Sequence, residues 1–145
     1  MNSEDSNLGE LLAFTPAVIY EYVVYNDDDG DSALLYFSES CQAILGHPAE
    51  YFLEDIEHFW RMVHPEDISK LIEQSGAART EWRMFSCEVR LFRADKSEIW
   101  VRLASQPTNR KSKGEYTWAG CLMDITSIKH ADAALRRSAL NSLRI

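Results

Sequence analysis

The chain changes abruptly from a strand pattern to a helical pattern at Asp124-Ile125-Thr126. Residues 116–123 are rich in apolar and aromatic side chains, and residues 127–145 carry apolar side chains at helical spacing. A strand that runs directly into a helix leaves that helix projecting from the end of a sheet, where strain in the sheet can pass into it. This order is typical of a signalling module, and the sequence shows no assembled catalytic centre.

Five strand-like segments, rich in β-branched and aromatic residues and separated by turn signals, predict a sheet. Because the first two flank a short turn and the last three follow one another closely, we expect a hairpin plus a meander. The order predicts an α+β fold, in which one five-stranded antiparallel sheet carries short helices on one face and a C-terminal helix. The predicted strands are residues 17–25, 34–37, 84–92, 99–104 and 116–123.

Four short helical segments lie between the second and third predicted strands. Ser38 is expected to cap the first of them and Gly46 to stop it. The last opens at His64-Pro65, because proline suits the first helical position, and is predicted to run to about Ser75.

Composition excludes several classes of protein. A net charge of −8 argues against nucleic acid as a partner, because a binding face must offset phosphate charge. No apolar run approaches the ~20 residues of a membrane-spanning helix, so this segment is not expected to insert into a membrane. The acidic N-terminus lacks the basic segment of a secretory signal. Cys41, Cys87 and Cys121 are too widely spaced for a zinc site or a disulfide framework, which favours a cytoplasmic location.

Several short motifs, in order, together carry a family resemblance. The chain resembles PAS domains of the sensory box type found in bacterial sensor histidine kinases and GGDEF diguanylate cyclases, over about residues 10–130. Two positions depart from the family pattern: Lys96 stands where glycine is usual, and Asp132 where glutamate is common. The motifs are Leu45-Gly46, Phe59 to Asp67, Cys87 to Leu91 with Trp100-Val101, and Trp118 to Gly120 through Asp124 to Thr126.

The resemblance implies a division into three segments. These are an N-terminal cap helix over residues 1–13, a PAS domain over 14–126, and a signalling helix over 127–145 that leads to an effector domain. In that last segment, apolar and small residues step by three and four, as in a coiled coil. We therefore expect a homodimer through the C-terminal helix and the N-terminal cap; the alternative is a helix that packs on its own sheet. The stripe comprises Ile128, Ala131, Leu135, Ser138, Ser142 and Ile145.

The resemblance also implies a small cavity between the sheet and the helices. Each candidate lining residue would serve equally as core, because a sheet needs an apolar face whether or not anything is bound. For Tyr20 and Tyr22, strand alternation leaves open which set of side chains faces inward. The candidates are Tyr20, Tyr22, Phe37, Ile44, Phe59, Met62, Ile68, Leu71, Val89, Leu91 and Cys121.

Two cofactors of the family are not expected here. Light-oxygen-voltage flavin chemistry needs a reactive cysteine in a Gly-x-Asn-Cys-Arg-Phe-Leu-Gln run, which the sequence lacks. Haem needs an axial ligand such as histidine. His64, the one candidate near the cavity helices, is expected to cap or pack instead. A small organic ligand remains open, and the cofactor is unassigned.

The junction is the predicted site of signal output. The Thr126 hydroxyl is expected to cap the C-terminal helix, and Asp124 to accept hydrogen bonds from the junction backbone or to pair with an arginine. Glu88 and Arg90 share one face of their strand and are expected to pair with neighbours. The alternative for Asp124 is ordinary capping without any role in switching.

Three functional classes follow from these observations. The first is a non-enzymatic sensory module that controls a tethered effector such as a histidine kinase or a diguanylate cyclase. The second is a purely structural dimerisation module. The third is a small isomerase-like enzyme on a cone-shaped α+β fold, which would need an acid or base deep in an apolar pocket. No strand glutamate has a sequence neighbour that suggests such a dyad.

Overall fold

The structure, a computed structural model, describes residues 17–25, 32–111 and 115–143. The predicted cap helix over residues 1–13, the first turn over 26–31, most of the turn at 111–114, and Ile145 of the helical stripe therefore lie outside the described residues. No helix in the described part of the chain is long and apolar enough to cross a membrane.

The strands and helices follow the predicted order. They are β1 (Ala17–Val24), β2 (Ser32–Phe37), α1 (Cys41–Leu45), α2 (Ala49–Glu54), α3 (Glu57–Trp60), α4 (Pro65–Glu81), β3 (Phe85–Phe92), β4 (Glu98–Lys111), β5 (Glu115–Asp124) and α5 (Thr126–Ser142).

The five strands form one antiparallel sheet in the order β2-β1-β5-β4-β3. Alternate residues of β3, from Phe85 to Leu91, are buried on the face that meets α1, α2 and α4, and the core lies there. We call this the inner face and its reverse the outer face. The predicted α+β fold is confirmed.

The segment before α4 covers the edge strand β3. His64 donates its backbone N–H to the Arg90 carbonyl at 2.9 Å, and Phe92 donates to the Met62 carbonyl at 2.8 Å. The Asp67 carboxylate accepts the Arg90 N–H at 2.8 Å. These bonds satisfy an edge that would otherwise be open to pairing with other chains.

Two elements run further than predicted. Strand β4 continues past Ala104 to Lys111, because its register shifts between Pro107 and Asn109 and a proline is tolerated at such a bulge. Helix α4 continues past Ser75 to Glu81, because a single glycine inside a helix costs only about 1 kcal/mol and does not have to end it.

The predicted cap of α1 by Ser38 is wrong. Ser38 Oγ accepts the Ile19 N–H at 2.9 Å and shares a hydrogen bond with Ser40 Oγ at 2.8 Å. Ser40 in turn donates to the Ala17 carbonyl, so both hydroxyls hold the chain to β1. The predicted stop at Gly46 is confirmed: it ends α1 with φ of 90°, in the left-handed region.

Candidate functional site

A cavity of about 950 Å³ lies between the inner face of the sheet and helices α3 and α4. Aromatic and aliphatic side chains from all five strands form its sheet wall, and residues from successive turns of α4 line the helix side. The exposed side chain of Ile72 marks the side that faces solvent. The space is large enough for a small organic molecule.

Six of the eleven predicted cavity residues line this space, and five do not. Those that line it are Tyr20, Tyr22, Phe37, Phe59, Ile68 and Leu71.

The other five have separate reasons for lying elsewhere. Val89 and Leu91 are fully buried in the core, where the short bridge between Val63 and Leu91 covers the latter, and Met62 is buried beside them. Cys121 pairs in register with Ile19 and Ala104 on the outer face. Ile44 packs against the core from α1, where its carbonyl accepts a hydrogen bond from Arg93.

Several polar residues that line the cavity were not predicted, among them Arg79, Ser105 and Trp118. Arg79 and Ser105 lie beyond the predicted ends of α4 and β4, so truncating those elements removed them from consideration. Trp118 was assigned to a strand, but its inward orientation was not deduced. Side chains alternate between the two faces along a strand, and Trp118 lies four residues before Leu122 on β5. The two side chains therefore share the inner face, and this alternation is the signal that could have placed Trp118 there.

A close polar contact crosses the sheet wall. The Tyr20 hydroxyl and Ser105 Oγ lie 2.5 Å apart and are both buried. Gly120, between them on β5, leaves the necessary room: a Cβ there would come within 2.7 Å of the tyrosine oxygen and 2.8 Å of the serine oxygen. Burial raises the pKa of Tyr20, so this hydroxyl is neutral at physiological pH.

Tyr22 and Trp118 lie side by side in the sheet wall of the cavity. Their rings are nearly parallel, with 6.2 Å between centroids and 6° between planes. Burial raises the pKa of Tyr22 to about 12, while the charge of Arg79 and the hydroxyl of Ser105 act in the opposite direction. Trp118 is 1% exposed, and its indole Nε1–H has no hydrogen-bond partner in the described structure.

None of the cysteines or histidines lines the cavity, all seven being among the described residues. Burial raises the pKa of Cys41 to about 11, and its thiol donates to the His47 carbonyl at 3.4 Å. His64 Nδ1 accepts the Glu66 N–H, which caps α4. Among the described residues, no three Cys, His, Asp or Glu side chains come together as a metal site.

The roles at the junction are divided differently from the prediction. Asp124 Oδ1 accepts the Thr126 N–H at 2.9 Å, so Asp124 meets the junction backbone as expected. Thr126 is the first residue of α5 and does not cap it through its hydroxyl, which instead accepts the Trp100 N–H at 3.0 Å. Ile125 N–H also donates to the Trp100 carbonyl, at 2.9 Å. The first turn of α5 is therefore fastened to β4 rather than only to its own strand.

Charged side chains extend this attachment across the outer face. Glu88 pairs with Arg102 at 2.8 Å and with Lys129 of α5 at 2.6 Å. Lys129 Nζ also lies 4.8 Å from the ring centroid of Trp100, and the guanidinium carbon of Arg90 lies 5.5 Å from the same centroid. We call Glu88, Arg90, Trp100, Arg102 and Lys129 the outer network.

Helix α5 leaves the sheet after this first turn. No residue of α5 is buried, and Ile128 and Leu135 of the predicted stripe are 61% and 70% exposed. Leu140 and Leu143 are also exposed, although they lie outside that stripe. The alternative in which the helix packs along its own sheet is therefore wrong beyond the first turn.

Comparisons with known proteins agree with this architecture. A family model described as PAS fold matches residues 34–122, more than half of the chain. A search of curated protein sequences finds no match.

Solved structures of three signalling proteins share the fold. A sensory box histidine kinase/response regulator from Burkholderia thailandensis E264 is 19% identical, over 98% of this chain and 99% of that one, with a TM-score of 0.68. The N-terminal domain of a diguanylate cyclase with PAS/PAC sensor from Marinobacter aquaeolei is 19% identical, over 79% and 98%, with a TM-score of 0.64. An RNA-binding light-oxygen-voltage receptor is 16% identical, over 99% and 40%, with a TM-score of 0.68.

Proposed function

This chain belongs to the PAS family, and from that premise we propose that it is a sensory and signal-relay domain of a larger signalling protein. A change in the cavity or at a dimer interface passes through Asp124-Ile125-Thr126 into α5 and on to an effector. A histidine kinase or a diguanylate cyclase is the effector we propose, since PAS relatives with this fold belong to both.

The observation that carries this proposal is that two adjacent strands serve both sites. Strand β4 contributes Leu103 and Ser105 to the cavity and Trp100 to the junction. Strand β5 contributes Trp118 and Leu122 to the cavity and ends at Asp124. A shift of either strand against the other therefore alters both sites together.

A ligand can drive such a shift only if it binds two conformations with different affinity. The cavity suits this requirement because its polar pair, Tyr20 and Ser105, bridges β1 and β4 across Gly120 of β5. A molecule that competes for either hydroxyl would change the spacing of these three strands. The same strands lead directly to the hydrogen bonds of the junction.

We propose that the chain acts as a homodimer through α5. The exposed Ile128 and Leu135 offer an apolar surface one helical repeat apart, which a second copy can cover. The predicted N-terminal cap would join this interface. A chain that dimerises but has no regulated state would be the structural alternative.

We propose no catalytic role for the cavity itself. Its described lining has no histidine or cysteine, and its two carboxylates lie at the α3 side. Asp55 accepts the Glu57 N–H at 3.0 Å just before α3, while Glu57 is exposed. Neither lies deep among the aromatic side chains, where a shifted acid or base would be needed.

The first experiment is native mass spectrometry of the purified chain beside its denatured mass and its absorbance spectrum. An adduct that disappears on denaturation would support a ligand sensor and give the mass of the ligand. A dimer without an adduct would favour relay from the dimer interface. A monomer without an adduct would contradict both the proposed dimer and a tightly held ligand.

The relay itself is tested by changing the junction in the full-length parent protein. Asp124→Ala removes the carboxylate that holds the Thr126 N–H and should uncouple effector activity from its signal while the fold, followed by circular dichroism, stays intact. Asp132→Ala is the matched control, because that exposed carboxylate pairs only with Arg136 within α5 among the described residues. Unchanged regulation in the Asp124 variant would refute the junction's role.

A further inference from the structure

We infer that the cavity selects a planar aromatic anion, such as an aromatic carboxylate, and that Arg79 and Trp118 recognise its charge and its acceptor oxygen. This inference rests on the proposed function, because it names the ligand class of the same cavity. Two independent observations support it: a buried donor without a partner and a cation without a counterion.

The donor is the indole N–H of Trp118. Indole Nε1–H can only donate, and buried donors almost always have a partner. Trp118 lines the cavity, is 1% exposed, and has no acceptor among the described residues. Because the nitrogen is itself buried, a bound molecule reaches it only by displacing a neighbouring side chain. Its carbonyl or carboxylate oxygen would then satisfy the donor, whereas an ammonium or another pure donor would not.

The cation is Arg79 in the last turn of α4. Its side chain is partly buried against the cavity, and it forms no ion pair with any described residue. It lines the same cavity as Tyr22, and its charge lowers the pKa of that hydroxyl against the effect of burial. The guanidinium presents a planar set of donors that matches a carboxylate, and charge-assisted bonds of this kind are the strong ones.

The mouth of the cavity carries charges of both signs and does not by itself select an anion. Glu57 and Arg61 are exposed there, and the Asp55 carboxylate already accepts the Glu57 N–H. Selection by charge therefore depends on Arg79, the lining residue whose charge acts on Tyr22.

The shape of the wall favours a flat ring. Tyr22 and Trp118 present two nearly parallel rings from neighbouring strands, and Phe85 meets Trp118 edge to face at 6.4 Å. A flat apolar body can lie against the partly exposed ring of Tyr22, where aromatic contacts add to the area that is buried. A ring carrying a carboxylate combines this body with the acceptor and the charge that the two polar groups require.

The test uses 2-naphthoate and its neutral analogue 2-naphthamide as probes of the purified chain, by isothermal titration calorimetry. Both probes have a flat ring and an acceptor oxygen, and only the first has a charge. We expect naphthoate to bind about tenfold more tightly, the ratio typical of one charge-assisted hydrogen bond. Arg79→Gln should bring this ratio close to one. Arg83→Gln, an exposed arginine four residues further along and outside the cavity lining, should leave it unchanged.

Trp118→Phe separates the second contact from the first. It keeps a ring and removes the donor, so it should weaken naphthoate and naphthamide by a similar factor, about fivefold. In the wild-type chain labelled with ¹⁵N, the Trp118 indole signal should move downfield on titration with either probe. That indole signal is assigned by correlating it with the backbone amide of Trp118 in the wild-type chain. The test therefore stays valid if the variant fails to fold.

Equal affinity for the two probes, a preference that survives Arg79→Gln, or no binding of either probe would overturn the inference. These results are distinct from failure of the proposed function, which is judged by the Asp124→Ala variant. A cavity that binds naphthamide equally well would still be a sensor site, though for a neutral ligand. If Asp124→Ala uncouples the effector but neither probe binds, the proposed relay stands and the proposed ligand class is wrong.

Discussion

The two faces of the sheet carry different kinds of polar contact. On the inner face, polar groups are uncharged and deeply buried, as in the pair formed by Tyr20 and Ser105. On the outer face, the contacts are ionic and partly exposed, as in the links from Glu88 to Arg102 and Lys129. The inner face therefore depends on close fit, and the outer face depends on charge.

This difference has a consequence for how each face can be altered. Close-packed interiors respond strongly to a single added carbon and weakly to salt. Exposed ion pairs respond weakly to substitution and are screened by salt. The cavity is thus suited to bind a ligand of one shape, whereas the contacts that attach α5 to the sheet can be rearranged at small energetic cost.

The largest expected effect comes from adding one methyl group at the centre of the inner face. A Cβ on Gly120 would lie 2.4 Å from the Ala104 carbonyl oxygen, as well as against the Tyr20 and Ser105 hydroxyls. Because a backbone carbonyl cannot swing aside, β4 and β5 must separate. We expect Gly120→Ala to lower the free energy of unfolding by about 3 kcal/mol, measured by urea denaturation.

Gly76→Ala is the matched control for that variant. A Cβ there meets nothing within 4 Å, and the residue lies inside α4. The same substitution should therefore raise stability by about 0.5–1 kcal/mol through helix propensity. A loss similar in size to that of Gly120→Ala would show that close packing of the sheet wall is not the cause.

The second effect concerns Asp67, a buried carboxylate of α4 that pairs with Arg90. Asp67 accepts bonds from the backbone, Nε and Nη2 of Arg90, at 2.8 to 3.0 Å, and its side chain is 8% exposed. These bonds lower its pKa to about 2. Because the folded pKa lies below that of the unfolded chain, Asp67 stabilises the fold fully above about pH 5, and this contribution is lost as the pH falls towards 2.

Asp67→Asn should therefore cost about 2 kcal/mol at pH 7, with a difference from wild type that shrinks steadily below about pH 4. Denaturant titration at several pH values measures both. Glu66→Gln provides the comparison, since that carboxylate contacts the same Arg90 but is 73% exposed, and should cost less than about 1 kcal/mol. Equal losses from the two variants would mean that burial does not distinguish these contacts.

How far the sequence predicts the molecule also differs between the two faces. The sheet, its strand order along the chain and the terminal helix follow from hydrophobic period and turn residues, which are local signals. The cavity does not, because its polar residues Arg79 and Ser105 lie where Gly76 and Pro107 resemble terminators. Whether a glycine or a proline ends an element depends on contacts from distant strands and helices, which a local pattern does not contain.

At the junction, the sequence identified the residues but not their partners. Asp124 and Thr126 are named by their place between strand and helix, yet Thr126 bonds to Trp100, 26 residues away. Only the pairing of β4 beside β5 brings Trp100 there. The prediction that Cys121 lines the cavity was wrong for a simpler reason. Neighbouring residues of a strand point to opposite faces, so an assignment that is off by one residue places a side chain on the wrong face.

A smaller effect should come from the buried hydroxyl pair of the inner face. Tyr20→Phe removes one partner of the 2.5 Å contact and leaves Ser105 Oγ without it. We expect a loss of about 1 kcal/mol that is the same at roughly 0.05 M and roughly 0.5 M salt, because no charge is involved. Tyr36→Phe, at an exposed position on β2, should change neither value. A marked salt dependence in the Tyr20 variant would contradict the division between a neutral and an ionic face.

The smallest effect should come from the outer network. Glu88→Gln weakens the pairs with Arg102 and Lys129, whose side chains are 46% and 35% exposed. The expected loss of global stability is about 0.5 kcal/mol at low salt, disappearing at high salt. The local effect should be larger than the global one, because Lys129 holds the first turn of α5 against Trp100. Amide hydrogen exchange should therefore accelerate at residues 126–130. The core of β4 and β5 should stay protected. Glu98→Gln, an exposed carboxylate on β4, is the control. Unchanged exchange in α5 of the Glu88 variant would mean that the backbone bonds to Trp100 alone hold the helix, and that the outer network does not set how readily the junction moves.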